Sequence, residues 1–443
     1  MIVRRALPLL MMGIILFVPA SGGHADVSPQ AIPTSQAASS QSGSIAPVGP
    51  GIKIANETGL NEVSPAIAFN SMHSEYLVVW FDDRPSNDDI WAQRLTKNGL
   101  PIGLPFTIAS TAGIDRRYPR VAYNTLSDQY LIVWDQQSST LSCVCGRRVA
   151  ADGLVMDPND IVFESAMDSP LSTFQPTVAY ASASNKYLVI WSETFNTSII
   201  TSIYGRSVLG TGVLGDIITI SAGSGLSSAT LPDLAYNPLT DLYLVVWQQL
   251  DPANPSPLSD IWGRLVLGSG ASPSGDKFVI AGYTKPSTNP AVAALPVSPH
   301  GQYLVIWQDL YNPGDNDILG REVSYDGSYN AATDISISVT DAVDETQPSV
   351  SASVSRGQYL VTWKAVFYAP LNLTGIYGGL VNPTGSLSGS LFNLGGLVAA
   401  HPRVAAGPGG DFLTVFDDTP LTPDVGIYGQ LSGNRVYLPI ILR

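Results

Sequence analysis

Residues 232–266 read PDLAYNPLTDLYLVVWQQLDPANPSPLSDIWGRLV, and the pattern in this stretch decides the fold. A proline opens it, a short apolar segment follows, and after a polar turn comes Tyr243–Trp247, in which every residue is aliphatic or aromatic. A strand that is apolar on both faces is typical of a strand buried between stacked sheets. In the third segment, Asp260–Val266, Gly263 indicates a bulge or a close neighbouring backbone. The stretch therefore predicts three short antiparallel strands.

The same pattern occurs seven times along the chain. Its opening prolines follow one another at intervals of 54 to 58 residues: Pro65, Pro119, Pro176, Pro232, Pro290, Pro348 and Pro402. In each copy the apolar second strand ends in an aromatic residue: Trp80, Trp134, Trp191, Trp247, Trp307, Trp363 and Phe416. A constant period of this length indicates a repeat architecture, and the repeated aromatic residues are predicted to lie in its core.

A fourth, alternating segment such as Phe106–Ala109 completes each repeat. Four short strands form a small sheet that cannot cover its own apolar faces, whereas radial stacking covers both faces of every sheet. The first three strands occur seven times, but only six copies of the fourth strand follow them. The missing copy is Ile52–Ala55, which we expect to pair with the third strand of the last repeat, around Gly426–Leu431. The sequence thus predicts an all-β, seven-bladed β-propeller of four-stranded antiparallel blades, closed by the N-terminal strand; an open solenoid would need capping repeats.

The ends of the chain differ from the repeats in composition. Arg4 and Arg5 precede an apolar run, Leu9–Ala20, that is shorter than the roughly 20 residues of a membrane-spanning helix, so an export signal is favoured over a membrane anchor. The next segment is rich in Ser, Ala, Gln and Pro and has no aromatic residue, which is typical of a linker. We divide the chain into a signal peptide (1–25), a flexible linker (26–50), the propeller (51–433) and an apolar tail (434–443).

Composition also excludes some partners. The formal net charge is −14, and no cluster of Lys or Arg follows the leader, so a surface for nucleic-acid phosphates is not expected. No later segment is long and apolar enough to span a membrane. We therefore expect a secreted or cell-surface protein that acts as a monomer.

Cys143 and Cys145 are the two cysteines of the chain. On a strand, side chains two positions apart point to the same face, and a disulfide between such close positions is expected to be strained. A metal site would need further Cys or His partners, which have no fixed spacing here. The favoured interpretation is two small, half-buried strand residues, with stability coming from the core.

The recurring Tyr-Leu-Val-Val-Trp, followed by an Asp-rich loop and Ile-Tyr/Trp-Gly-Arg, resembles the blade repeats of secreted bacterial β-propeller proteins, most of them uncharacterised. The resemblance covers Gly51 to Ser432. It implies blade architecture and an extracellular location, and it implies no reaction. The last residues, Val436–Arg443, also resemble a tail of some exported bacterial proteins, which implies sorting or surface retention. The Asp-boxes of sialidases and the calcium loops of integrin-like blades do not occur in the sequence.

The loops between the second and third strands are the longest and most varied, and they share one rim with the loops between blades. Varied loops on a rigid scaffold are typical of a binding face. Our candidate binding residues on this rim are Asp82, Asp83, Arg84, Asp309, Asp417 and Asp418. Asp315 and Asp317 are candidate calcium ligands, although no glycine follows at the position that a calcium loop needs. Turn capping by the aspartates is favoured over metal binding and over catalysis.

No unique catalytic set accompanies the repeats. The third-strand arginines Arg147, Arg206, Arg264 and Arg321 recur from blade to blade, which favours a structural role. The sequence therefore predicts a non-enzymatic extracellular binding or scaffold module, without a resident cofactor, that recognises a glycan or protein on its loop rim. The alternative is a propeller glycosidase or polysaccharide lyase that uses paired rim carboxylates.

Overall fold

The computed structural model describes residues 45–433, except 56, 58, 85–86, 140, 168–174, 195–199, 224–226, 252–257, 283–284, 313, 331–332, 369–372 and 420–423. The predicted signal peptide, most of the linker and the tail lie outside the described residues. The described part of the chain forms seven four-stranded antiparallel sheets, and its one helical segment is the 3-10 turn Pro408–Gly410. None of the described helical segments has the length and apolar character needed to cross a membrane.

Each sheet is one blade, and in blades 1 to 6 the strands lie in sequence order. Blade 1 contains β2 (Asn61–Asn70), β3 (Glu75–Asp83), β4 (Asp89–Thr96) and β5 (Pro101–Ala109). Blade 2 contains β6 (Asp115–Asn124), β7 (Gln129–Gln137), β8 (Leu141–Ala150) and β9 (Ile161–Met167). Blade 3 contains β10 (Thr177–Ala181), β11 (Lys186–Thr194), β12 (Thr201–Leu209) and β13 (Leu214–Ser221).

Blade 4 contains β14 (Ala229–Asn237), β15 (Leu242–Asp251), β16 (Leu258–Leu267) and β17 (Pro273–Ala281). Blade 5 contains β18 (Ser287–Leu295), β19 (Gln302–Asn312), β20 (Asp315–Ser324) and β21 (Ile335–Ser338). Blade 6 contains β22 (Val343–Ser353), β23 (Gln358–Phe367), β24 (Leu373–Val381) and β25 (Leu387–Gly395). Blade 7 contains β26 (Ala400–Ala406), β27 (Phe412–Asp418), β28 (Gly426–Gly433) and, as its outer strand, β1 (Ala46–Ala55). The seven-bladed propeller is confirmed.

Pairing of β1 with β28 closes the ring. Ile52 is opposite Gly429, and Ala55 is opposite Ile427, which confirms the predicted closing strand. The strand begins earlier than expected, however, because Ala46 is opposite Gly433. The boundary of the linker at residue 50 is therefore wrong. A strand on the outer edge tolerates the prolines of this segment, since a proline there removes no ladder hydrogen bond when its nitrogen faces outward.

The aromatic residue at the end of each second strand is buried against the preceding blade. Trp134, Trp191, Trp247 and Trp307 are 0% exposed, as predicted. Trp247, for example, belongs to a core cluster with residues of β11 and β12 in blade 3. Its indole N–H donates to Gln249 Oε1 at 3.0 Å, so the buried polar atom is satisfied.

The repeated third-strand arginines bind one blade to the one before it. Each donates from Nη1 to a backbone carbonyl in the outer strand of the preceding blade. Arg147 reaches Ile108 O at 2.9 Å, Arg206 reaches Phe163 O at 2.9 Å, Arg264 reaches Ile220 O at 2.8 Å, and Arg321 reaches Ile280 O. The predicted structural role is confirmed.

The third-strand glycines allow close packing within the blade. A Cβ atom at Gly146 would lie 2.5 Å from the carbonyl oxygen of Ile132 on the adjacent strand. At Gly263 it would lie 2.7 Å from Ile280 Cδ1. These glycines therefore mark the close approach of neighbouring groups that the sequence indicates.

Cys143 and Cys145 form a disulfide, so the interpretation of two unbridged cysteines is wrong. Their side chains share one face of β8 and are buried. The pairing of β8 with β9 shifts register between Val144 and Cys145, and the two Cα atoms are 5.6 Å apart. This separation lies within the range that a disulfide spans.

Replacing Trp247 by Ala tests the contribution of the second strand. We expect W247A to lower the free energy of unfolding by about 3–5 kcal/mol, because a fully buried indole is removed. Urea denaturation measures the effect. The control is L104A, since Leu104 is 85% exposed and should change stability by less than about 0.5 kcal/mol. Equal midpoints for both variants would contradict the assignment of the core.

Removing β1 tests the closure of the ring. Deletion of residues 46–55 leaves β28 as an open edge and uncovers Leu413 and Val415, which pack in one core cluster with Ile54. We expect a lower melting temperature and faster hydrogen exchange in β28. The comparison is a chain lacking residues 434–443, for which we expect almost no change. Unaltered exchange in β28 after the first deletion would rule out this closure.

Candidate functional site

In every blade, the residue before the opening proline has a positive φ angle. The seven residues are Ser64, Tyr118, Gln175, Leu231, Asn289, Gln347 and His401, with φ between 43° and 55°. Non-glycine residues seldom adopt this conformation, and strain of this kind clusters at functional sites. Here the positive φ angle occurs once in each of the seven blades, so it is a feature of the blade architecture. We call these seven residues the pre-proline ring.

Side chains of the preceding blade hold the ring in this conformation. Gln248 Oε1 accepts a hydrogen bond from the backbone N–H of Asn289 at 3.4 Å, and Gln308 Oε1 accepts one from Gln347 at 3.2 Å. Gln347 Oε1 in turn accepts from the backbone N–H of His401 at 2.8 Å. The backbone of the ring is therefore fixed by contacts between blades.

Six members of the pre-proline ring line a cavity of about 450 Å³ between the first strands of blades 2 to 7, at the centre of the ring of blades. We call this cavity the channel mouth. In each of these blades the proline is constant, while the residues on either side of it differ. A rigid frame with varied side chains is the arrangement that binding sites use. One feature of the sequence points to the channel mouth: the positions beside the constant proline vary from blade to blade. The candidate residues chosen from the sequence do not include these positions.

Three charged side chains follow the proline in their blades and line the channel mouth: Arg120, Asp233 and Arg403. Arg120 Nη1 donates to Pro119 O at 2.9 Å, and Arg403 Nη1 donates to Pro402 O at 3.2 Å. A guanidinium group has five N–H donors, so each arginine keeps further donors for a ligand. Two positive groups and one negative group give the channel mouth an excess of positive charge in an acidic protein.

The enclosure of these charges shifts their pKa values. Burial lowers the pKa of Arg120 to about 9, and the positive charge of Arg403 acts in the same direction. Burial also lowers the pKa of Arg403, against the effect of Asp233 and Asp417. Burial raises the pKa of Asp233, although the Val292 N–H, 3.0 Å from its Oδ2, and Arg403 favour the carboxylate. The three side chains are only half-buried, and arginine side chains are not deprotonated in proteins.

His401 connects the channel mouth to one of the predicted rim residues. Its Nδ1 lies 2.7 Å from Asp417 Oδ2, and the same oxygen accepts a hydrogen bond from the backbone N–H of Ser64 at 2.9 Å. Asp417 is buried and therefore positions the histidine and joins blade 7 to blade 1. Asp417 therefore supports His401 from within the fold and is not exposed on the loop rim.

The other predicted binding residues belong to blades 1, 5 and 7. Most of them form hydrogen bonds with neighbouring groups. Asp82 is buried and accepts from Arg84 Nε at 2.6 Å and from the Asp89 N–H at 3.0 Å. Asp309 accepts from Ser287 Oγ at 2.9 Å, and Asp418 accepts from the backbone N–H of Val398 at 2.9 Å. Asp83 is exposed at the end of β3. Most of these residues accept hydrogen bonds from backbone or side-chain donors nearby, and their part in ligand binding stays a prediction.

The two candidate calcium ligands, Asp315 and Asp317, are buried on β20. Glu345 of the next blade lies near Asp317 and accepts from Ser338 Oγ at 2.8 Å. Within the part of the chain that the structure describes, no group of three or more His, Cys, Asp or Glu side chains is arranged to hold a metal ion. Calcium binding by these two aspartates stays a prediction.

No protein-family model and no curated protein matches the chain. Among solved structures, a protein of unknown function from Dyadobacter fermentans is similar with a TM-score of 0.52 and 9% identity, over 88% of this chain and 99% of that one. An α-L-arabinanase of Penicillium chrysogenum complexed with arabinobiose has a TM-score of 0.49 and 10% identity, over 86% and 97%. The β-propeller domain of the Trilobed protease from Pyrococcus furiosus has a TM-score of 0.47 and 8% identity, over 84% and 95%. At 9% identity, the likeness to the Dyadobacter protein shows the fold alone.

Glu345 makes stability depend on pH. Burial raises its pKa to about 8, and the carboxylate of Asp317 adds to the shift. The folded state therefore prefers the protonated acid, and the stability that this preference contributes is lost as the pH rises from about 4.5, the ordinary pKa of a glutamate, to about 8. We expect E345Q to melt above the wild type at pH 8 and with it at pH 4.5, as measured by thermal scans. The exposed-site variant D83N should show no such change with pH; equal behaviour of the two variants would contradict the burial of a neutral Glu345.

Proposed function

We propose that this chain is an extracellular, non-enzymatic binding module that takes the acidic end of a glycan into its channel mouth. The observation that carries the proposal is the placement of Arg120 and Arg403 in one cavity of about 450 Å³. A guanidinium group binds a carboxylate or sulfate through paired, charge-assisted hydrogen bonds, which are stronger than bonds between neutral groups.

The remaining lining suits the hydroxyl groups of a sugar. Gln175, Asn289 and Gln347 carry amides, which both donate and accept, and Asp233 adds a carboxylate acceptor. The volume falls within the roughly 300–1,000 Å³ of small-ligand sites. A cavity of that size admits the end of a glycan chain, whereas a folded protein partner would bind mainly to the surrounding rim.

The channel mouth offers less support for the alternative, a glycosidase. Glycoside hydrolysis uses two carboxyl groups roughly 5–9.5 Å apart. Among the described residues that line the channel mouth, Asp233 is the one with a carboxyl side chain. The rim aspartates that the sequence offers for this role mostly accept hydrogen bonds from their own blades.

An extracellular location is part of the proposal. The basic and apolar N-terminal sequence supports export. The disulfide between Cys143 and Cys145 supports it independently, because disulfides persist mainly in oxidising compartments.

A glycan array with the full-length chain tests the proposal, followed by calorimetry of each ligand that binds. We expect binding of glycans that carry a uronate, sialyl or sulfate group, and weaker binding of their neutral counterparts. R120Q and R403Q should each weaken binding by about tenfold or more, because a charge-assisted hydrogen bond is lost. Binding should also weaken as the salt concentration rises.

The matched control is D83N, which changes an exposed residue at the end of β3 and should leave affinity unchanged. Loss of binding in D83N but not in R120Q and R403Q would move the site to the loop rim and overturn the proposal. Release of sugar products would favour the glycosidase. Binding of acidic peptides without any glycan would overturn the assigned ligand class.

A further inference from the structure

A second cavity, of about 150 Å³, lies at the seam where the ring closes. The closing strand β1 contributes Ile54 to its lining, and blade 1 contributes Glu62, Trp80 and Trp91. We call it the seam cavity. It shares no lining residue with the channel mouth.

Glu62 presents an unpaired carboxylate oxygen in the seam cavity. The side chain is 2% exposed. Its Oε1 accepts a hydrogen bond from the Glu57 N–H at 2.8 Å, but its Oε2 has no hydrogen-bond partner among the residues that the structure describes. A buried polar atom without a partner costs free energy, so this oxygen favours an occupant that donates a hydrogen bond.

The electrostatic surroundings favour a donor that is also a cation. Glu57 and Asp82 line the cavity beside Glu62, and both disfavour its charged form. Burial is the largest effect and raises the pKa of Glu62 to about 7. Arg84 Nη2 lies 2.6 Å from Asp82 Oδ2, so this arginine neutralises Asp82, whereas Glu62 has no such partner in the described part of the chain.

Two indole groups border the cavity, and one of their rings is already in contact with a cation. The guanidinium carbon of Arg84 lies 5.5 Å from the centre of the Trp91 ring, within the distance of a cation–π contact. Trp80 is 2% exposed and forms a second indole surface. The indole N–H of Trp91 is buried and, among the described residues, has no acceptor, so an occupant that also carries an oxygen would satisfy it.

We propose that the seam cavity binds a small, free amino alcohol, with its ammonium group on Glu62 and its hydroxyl oxygen on the Trp91 N–H. Water occupies about 30 Å³ per molecule in the liquid, so the cavity holds about five water-sized groups. Ethanolamine, with four non-hydrogen atoms, fits this space. Because Ile54 belongs to β1, the ligand contacts both sides of the seam and stabilises the closed ring.

Three ligands of equal size distinguish the contribution of the Glu62 contact from that of the Trp91 contact. Ethanolamine carries both groups, ethylene glycol replaces the ammonium by a hydroxyl, and n-propylammonium lacks the hydroxyl. Calorimetry with the full-length chain at pH 8 should show ethanolamine binding about tenfold or more tightly than either analogue, because ethylene glycol brings no positive charge to the Glu62 carboxylate and n-propylammonium leaves the Trp91 N–H unpaired. Binding should raise the melting temperature and change the fluorescence of the tryptophans.

Two variants assign the contacts. E62Q should abolish the preference for ethanolamine over ethylene glycol, and W91F should abolish the preference over n-propylammonium. E345Q, which alters another buried glutamate with a raised pKa, is the matched control and should keep both preferences. W91F keeps the proposal testable if E62Q does not fold.

The proposal fails if ethanolamine binds no better than ethylene glycol, or if E62Q retains the wild-type preference. It also fails if a crystal soaked with ethanolamine shows only water between Glu62 and Trp91. Because the channel mouth is unchanged in E62Q and W91F, glycan binding should persist in both variants. The two proposals can therefore fail separately.

Discussion

The second strand of a blade is apolar on both faces, and the rest of the structure depends on covering both of them. In blade 4, Tyr243, Val245 and Trp247 pack against blade 3, while Leu244 and Val246 pack against blade 5. Alternate residues of one strand thus belong to two different cores. A linear stack would leave its first and last blades with an uncovered apolar face. The ring covers every face, and β1 supplies the strand that completes the last blade.

Polar contacts between blades follow from the same stacking. The third-strand arginines of blades 2 to 5 donate to backbone carbonyls of the preceding blade. The tyrosines near the start of the second strands do the same in blades 3 to 6; Tyr303, for example, donates to Leu242 O at 3.1 Å. Many acidic side chains of the rim likewise accept hydrogen bonds from backbone or side-chain donors nearby. An aspartate that caps a turn and one that binds a ligand are alike in sequence, because only the position of the donor distinguishes them. For this reason the sequence does not reveal that Asp309 accepts from Ser287 Oγ or that Asp418 accepts from the Val398 N–H.

The closed ring also explains how seven residues keep an unfavourable backbone conformation. Each member of the pre-proline ring is followed by a rigid proline, and in several blades its N–H is bound by the blade before it. Tertiary contacts of this kind maintain local strain that an isolated hairpin would relax. The result is a channel mouth whose frame is constant and whose side chains vary.

The sequence by itself determined the number of blades, the order of their strands, the burial of the tryptophans and the identity of the closing segment Ile52–Ala55. These features are encoded in hydrophobic patterns within about 56 residues, repeated seven times, so each copy supports the others. Only the tertiary structure decided that β1 begins at Ala46, that Cys143 and Cys145 form a disulfide, and that Arg120 and Arg403 share one cavity. The start of β1 depends on a partner strand almost 400 residues away, the disulfide on the 5.6 Å between the Cα atoms of Cys143 and Cys145, and the cavity on the closure of the whole ring. Distances through space set all three, and no local pattern of residues records them.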